Sequence, residues 1–251
     1  MPAAVAALAD GEPCRAVWRN ELGGITFKIG AHRYMKWNPA GTTLDLTSEV
    51  IRLRWANGRA SVPTLLDHGN DDEGTWLVTA ALRGESAVSA RWKADPATAV
   101  RVLGQGLRRL HDALPISECP FTWAAQDRLR IAHSRAAAGL THPQKWRQQH
   151  QHLTVADALT ILDDLPVMDH MVVCHGDSCA PNTLIDHDGE FAGHVDLGAL
   201  GVADRWADLA IATWSTTWNY GPGWEQRLLD AYGIDPDEEK IAYYRLLWDL
   251  T

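Results

Sequence analysis

The sequence predicts an α+β fold of two lobes: a small β-rich N-terminal lobe over residues 1–80 and a mainly helical lobe over 81–251, with 81–84 as the hinge. Three observations carry this. β-branched and aromatic residues gather in short, turn-bounded runs through the first third. From about Asp95 onward, apolar residues recur at helical spacing. A short non-helical block, 171–196, then interrupts the helices.

Taken in order, Val17-Trp18 and residues 25–29 flank the loop Arg19-Asn20-Glu21-Leu22-Gly23-Gly24 and predict a hairpin. Residues 32–37 supply a third strand, closed by the turn chemistry of Asn38-Pro39-Ala40-Gly41. A helix is expected over 46–57, where Asn57-Gly58 stops it. Two more strands fall at 64–68 and 75–79, so the small lobe is a five-stranded sheet with one inserted helix. Residues 97–113 place Val100, Leu103, Leu107 and Leu110 on one helical face. Further helices are expected near 124–138, 154–165, 207–218, 223–232 and 238–250. Within 171–196 two apolar strands each lead into an acid, Asp177 and Asp196, and 186–190 turns between a strand at 183–185 and the next.

The chain has 251 residues with 46% hydrophobic and 22% charged, a globular composition rather than a disordered, fibrous or membrane one. Its 23 Lys and Arg against 32 Asp and Glu leave a formal charge of −9, which repels phosphate backbones and anionic lipid. Nucleic acid and membrane are therefore not expected as partners. The alanine-rich residues 1–10 lack the basic flank and long apolar stretch of a secretory signal. Cys14, Cys119, Cys174 and Cys179 form no CxxC pair, so a reducing, cytoplasmic compartment is the expectation.

Phosphoryl transfer needs a carboxylate near the nucleophile, ligands for Mg²⁺ and a cation on the nucleotide phosphates, because catalysis is mostly positioning and charge neutralisation. His175-Gly176-Asp177-Ser178-Cys179-Ala180-Pro181-Asn182 places a carboxylate and an amide five residues apart after an apolar strand. This parallels the catalytic loop of protein kinases. Asp196, in Val195-Asp196-Leu197-Gly198, stands where a second metal-binding carboxylate is needed. Lys36 on a small-lobe strand and Glu49 in the next helix can pair to steady a phosphate-binding lysine. Each piece alone is ordinary; their shared order and context make the pattern specific.

With these motifs the chain resembles the aminoglycoside phosphotransferases, most closely the 3′-phosphotransferases, from about Val17 to Thr251. Further similar segments are Leu200-Gly201-Val202-Ala203-Asp204-Arg205, Ile241-Ala242-Tyr243-Tyr244-Arg245, Arg109-Leu110-His111 and Cys119-Pro120-Phe121. The resemblance implies a protein-kinase-like fold, ATP with GTP left open, Mg²⁺, and a cationic aminoglycoside as acceptor. It implies Asp177 as catalytic base, Asn182 and Asp196 as metal ligands, and Lys36 with Glu49 on the α/β-phosphates. Asn20, Gly23 and Gly24 belong to the flap over the phosphates, and Thr79 and Ala81 to the hinge that bonds adenine through backbone groups. The resemblance implies that Asp204 and Asp208 support the active-site segment more than they touch substrate. A monomer or weak dimer is expected.

The departures concern the acceptor. Ala199 stands where the family often has an arginine, and residues 142–150 carry no acid where carboxylates commonly meet substrate amines. Gln148, Trp248, Asp249 and Thr251 are the candidate acceptor contacts beside Asp177, and Trp146, Trp218 or Trp248 could stack on a sugar face or a guanidinium. A streptomycin 3″-phosphotransferase is therefore a close alternative, as is a kinase of another small hydroxylated antibiotic or metabolite. Two rivals remain: a metal-dependent hydrolase built from His175, Asp177, His187 and His194, and a non-catalytic nucleotide-binding protein on a kinase scaffold. Cys174 and Cys179 read as packing.

Overall fold

The structure, a computed structural model, describes residues 1–20, 22–42 and 46–251. Alanine is the strongest helix former, and the alanine-rich start, for which the sequence reading proposed no element, folds as α1 (Ala3–Ala9). Ala4, Val5 and Ala9 bury against Phe27, Ile29, Met35 and Val78 of the sheet that follows. That sheet contains β1 (Cys14–Arg19), β2 (Ile25–Ile29), β3 (Arg33–Pro39), β4 (Leu65–Asn70) and β5 (Gly74–Ala80). Its order is β1-β2-β3-β5-β4, antiparallel throughout, with α2 (Thr47–Ala56) inserted after β3. The expected turn at 38–41 starts later than predicted, because Asn38 and Pro39 still pair with Thr75 and Gly74. A proline at the strand's end removes no ladder bond the sheet needs.

The second lobe begins with β6 (Glu85–Ser86) and α3 (Ala90–Ala94), neither of which the sequence reading anticipated. α4 (Pro96–Ala113) starts where Asp95 accepts the Thr98 amide at 3.2 Å and Pro96 fills the first helical position. α5 (Ala125–Ala137) and α6 (Val155–Asp163) follow, the latter opened by a Thr154–Asp157 capping box. Next come β7 (Met171–Cys174), β8 (Thr183–Ile185), β9 (Phe191–His194) and β10 (Gly201–Asp204). β7 pairs with β10, and β6, β8 and β9 form a separate three-stranded sheet. α7 (Trp206–Tyr220), α8 (Glu225–Tyr232) and α9 (Glu238–Leu250) complete the lobe. One large core runs from these helices through Leu53 of α2 and Leu77 of β5, so α2 packs as a bridge between the lobes. Among the described residues no helix is long and apolar enough to cross a membrane.

Candidate active site

Two strand ends create the site. β7 delivers the loop 175–182 and β9 delivers Val195-Asp196, and the Val195 amide donates to the Asn182 carbonyl at 2.9 Å. The backbones of the two expected metal ligands, Asn182 and Asp196, are thereby held side by side. His175 joins the same segments: its Nδ1 accepts from the Asp177 amide at 3.2 Å, and its Nε2 donates to the Val195 carbonyl at 3.0 Å. The Asn182 side-chain Nδ2 donates to the Asp177 carbonyl at 3.0 Å, which leaves its Oδ1 as a ligand atom. Asp196 has a positive φ of 66° although it is not glycine, a backbone state that recurs where function needs a particular aim.

The loop is fastened from behind by α7. Asp208 is fully buried and accepts the amides of His175 (2.6 Å) and Gly176 (2.9 Å) and the ring N–H of His111 (3.0 Å). Burial alone would raise the Asp208 pKa, but these donors and the neighbouring imidazoles hold it below the ordinary carboxylate value. The Ser178 hydroxyl donates to the Asp208 carbonyl at 2.7 Å, and the Ala180 amide donates to Ser215 Oγ at 2.9 Å. Gly176 has φ +85°, and a Cβ there would lie 2.3 Å from the Ala199 carbonyl oxygen, so both conformation and space require glycine. Asp204 accepts the Asp169 and Trp206 amides, so it too supports the segment from outside. Within this frame the Asp177 carboxylate oxygen Oδ1 is buried and has no hydrogen-bond partner among the described residues. Cys179, expected to pack, is half-buried in this loop, and burial followed by the Asp177 charge pushes its thiol pKa up.

On the small-lobe side, Lys36 Nζ lies 2.8 and 2.7 Å from the two Glu49 oxygens and 2.9 Å from Asp196 Oδ1. Burial works to lower the Lys36 pKa, yet the two carboxylates keep it well above its ordinary value. Burial raises the Glu49 pKa, and the Lys36 charge offsets only part of that. Asp196 feels burial as a raising effect but ends below the ordinary value, because the Lys36 charge and hydrogen bond outweigh it. A cleft of about 190 Å³ opens here, lined by Trp18, Asn20, Thr26, Lys36, Glu49 and Asp196 among others. It is smaller than the roughly 300–1,000 Å³ of whole small-molecule sites, so it fits the phosphate end of a nucleotide. A larger hollow of about 330 Å³ near Arg54 and His68 shares no residue with it.

Several expected contacts are used differently. In the flap, where Glu21 lies outside the described residues, the Gly24 amide donates to Asn20 Oδ1 at 2.7 Å and the Gly23 amide to the Asn20 carbonyl at 3.2 Å. Asn20 thus shapes the turn, and neither glycine amide is free to meet a phosphate while the turn keeps this form. The Ala81 amide, expected at adenine, donates to the His32 carbonyl at 2.7 Å, because the sheet's bonding continues past the end of β5. Thr79 sits opposite Tyr34 and Leu65 in the sheet.

On the acceptor side Gln148 is exposed and Trp248 half-buried. Asp249 Oδ2 is taken by the Arg147 amide at 3.1 Å and by His150 Nδ1 at 2.6 Å. The Thr251 hydroxyl accepts from Arg128 at 3.0 Å. Both are engaged within the protein because the helix end is packed against neighbouring elements. Trp146 is 4% exposed and belongs to the core, so it offers no sugar-stacking face. Trp218 keeps a face on the surface, where sequence reasoning missed its partner, Arg147.

The hydrolase set does not assemble, since His187 is exposed on the 186–190 turn while His194 is 2% exposed. His111, Cys174 and Asp208 are close enough together to hold a metal, but both Asp208 oxygens already accept N–H groups. That cluster is structural.

A β-rich lobe over a helical lobe, with a Lys–Glu pair facing a carboxylate–amide loop, defines a kinase-like phosphoryl-transfer scaffold. The model of the phosphotransferase enzyme family matches residues 25–244, and the chain belongs to that family. The aminoglycoside 3′-phosphotransferase of Streptomyces fradiae is 34% identical over 83% of this chain and 81% of its own length. The streptomycin 3″-kinase of Streptomyces griseus is 34% identical over 94% of this chain and 91% of its own. The solved structure of aminoglycoside phosphotransferase APH(3″)-Id from Streptomyces rimosus, in complex with ADP and streptomycin, is 28% identical with a TM-score of 0.76, covering 100% of this chain and 99% of that one.

Proposed function

We propose that the protein transfers the γ-phosphoryl group of ATP to a hydroxyl of an aminoglycoside, at the 3′ or 3″ position, and so confers resistance to that antibiotic. The observation that carries the reading is the Asp177 carboxylate oxygen Oδ1, buried and, among the described residues, unpartnered, in a loop whose Asp177 amide and Asn182 side-chain N–H are both hydrogen-bonded. A buried acceptor without a donor is rare, and an acceptor hydroxyl supplies the missing donor. In this reading residues 1–80 hold the nucleotide, 81–251 hold the acceptor, and 81–84 join them.

Asp177 accepts a hydrogen bond from the hydroxyl, aims its oxygen at the γ-phosphorus and takes the proton late, as the new P–O bond forms and the bond to ADP breaks. Lys36 is a preformed cation for the α/β-phosphates, and Glu49, 7% exposed, keeps it in place after Asp196 turns away. Asn182 Oδ1 and the Asp196 carboxylate are hard oxygen donors on adjoining backbones, a fit for Mg²⁺. Mg²⁺ bound there neutralises phosphate charge. Of the two positions, 3″ is favoured by the longer span of the streptomycin-kinase similarity and by the absence of acids in 142–150.

The test is nucleotide turnover by purified protein with Mg²⁺ and kanamycin, neomycin, streptomycin or hygromycin. ADP release that requires one of these drugs and disappears in Asp177→Ala is expected. Nucleotide binding with no turnover on any of them would reject the aminoglycoside reading and favour another hydroxylated acceptor.

A further inference from the structure

The 142–150 segment has no carboxylate, and its exposed charge nearest α7 is Arg147. Its backbone is anchored on both sides of Gln148, because the Arg147 amide and His150 Nδ1 meet the same oxygen of Asp249. That anchoring lays the Arg147 side chain across α7. The guanidinium carbon lies 3.8 Å from the Trp218 ring centroid and 6.0 Å from that of Trp214, and the two indoles are 5.0 Å apart. One helical turn before Trp218, Ser215 accepts the Ala180 amide of the catalytic loop. The Arg147 charge also works to lower the Cys179 thiol pKa, which burial and Asp177 raise. Residues 215 and 218 share one helical face, so this cation lies on the side of α7 that holds the catalytic loop.

A guanidinium stacked at this distance occupies the aromatic face that would otherwise attract a cationic group of an acceptor. The acids of the same wall are engaged elsewhere: Asp249 by the 142–150 segment, and Glu225 by Arg245 at 2.8 Å and Thr217 at 3.0 Å. An acceptor with several ammonium or guanidinium groups meets a fixed like charge here, and Asp249 and Glu225, already engaged, do little to offset it.

We propose that Arg147 is a specificity-determining residue of the acceptor site: by holding its guanidinium on Trp218, it turns cationic groups of the acceptor away from α7 and selects acceptors that present a neutral, hydroxyl-bearing edge there. The inference rests on the phosphotransferase reading and adds the charge pattern of its acceptor.

The experiment compares wild type, Arg147→Gln and Arg147→Lys, measuring kcat and KM for kanamycin, streptomycin and ATP, with melting temperature as the folding control. Arg147→Gln should lower KM for the polycationic acceptors by about tenfold, with kcat and the KM of ATP unchanged. Arg147→Lys keeps the charge and should stay near wild type. An unchanged or higher acceptor KM in Arg147→Gln, or equal shifts in the Gln and Lys variants, overturns the proposal while wild-type turnover still supports the phosphotransferase reading. Absence of wild-type turnover with every aminoglycoside overturns both.

Discussion

The catalytic loop and the acceptor-side segment 142–150 both lean on α7, but the loop's anchors and the Arg147 stack are held by different physics. The loop 175–182 is fixed by backbone amides that donate to buried side chains, His175 and Gly176 to Asp208 and Ala180 to Ser215. The acceptor segment is fixed by a buried pair, His150 on Asp249, and by Trp146 in the core, while its Arg147 side chain lies exposed on Trp218. Loss of a buried acceptor strands several donors at once, whereas loss of a surface stack is answered by water. The chemistry is therefore built on the rigid element, and the charge shown to the acceptor on one exposed side chain, Arg147, that can change at little cost to the fold.

The sharpest test of this contrast is Asp177→Asn, which keeps the shape and removes the base. Turnover should fall about 10³-fold or more with an unchanged melting temperature. A fall under tenfold would show that the unpartnered oxygen does not do the chemistry. Next in size is Asp208→Ala, which leaves two amides and an imidazole without their acceptor. Urea unfolding should report a loss of about 3–5 kcal/mol, and a loss below about 1 kcal/mol would mean the loop does not depend on α7.

A smaller effect concerns pH. Burial, and then the nearby His175, push the His194 pKa down to about 3. The folded chain thus refuses a proton that the unfolded chain binds below about 6.5. This contribution is fully present above the unfolded pKa and is lost as pH falls toward 3, at up to about 1.4 kcal/mol per pH unit. Stability measured in urea at pH 7, 6 and 5 should fall less steeply in His194→Gln than in wild type, and parallel slopes would remove His194 from the account. The smallest effect is expected at the Arg147–Trp218 stack. Arg147→Gln should cost no more than about 1 kcal/mol in thermal unfolding, and a loss above 2 kcal/mol would erase the distinction between the two segments.

The site residues most legible in the sequence are those whose chemistry lies in local spacing. Asp177 and Asn182 are five positions apart on one loop, and the structure links them directly. Lys36 and Glu49 could be paired because a strand followed by a helix brings them together, and they meet at 2.7 Å. The amphipathic helices were legible for the same reason, as with Val100, Leu103 and Leu107 of α4, all buried. α1 escaped notice because near-uniform alanine carries no periodic contrast. β6 and β10 escaped because two to four residues have no pattern of their own, and their pairing to Leu184-Ile185 and to β7 is a long-range fact. The Ala81 amide, in a hinge expected to bond adenine through backbone groups, is taken by the His32 carbonyl, a neighbour that its sequence position does not reveal.

The sequence by itself determined the two-lobe division of strands and helices, the order of the reactive groups and the carboxylate–amide loop, since helix periodicity, turn chemistry and short spacings are written into adjacent residues. Only the tertiary structure decided that Asp208 would gather donors from positions 97 and 33 residues away. It also decided that one oxygen of Asp177 would be left without a donor, and that Arg147 rather than an acid would face α7. Those outcomes depend on which groups are buried together. Burial makes each unpaired polar atom costly and each pairing selective, and no stretch of local sequence contains both partners.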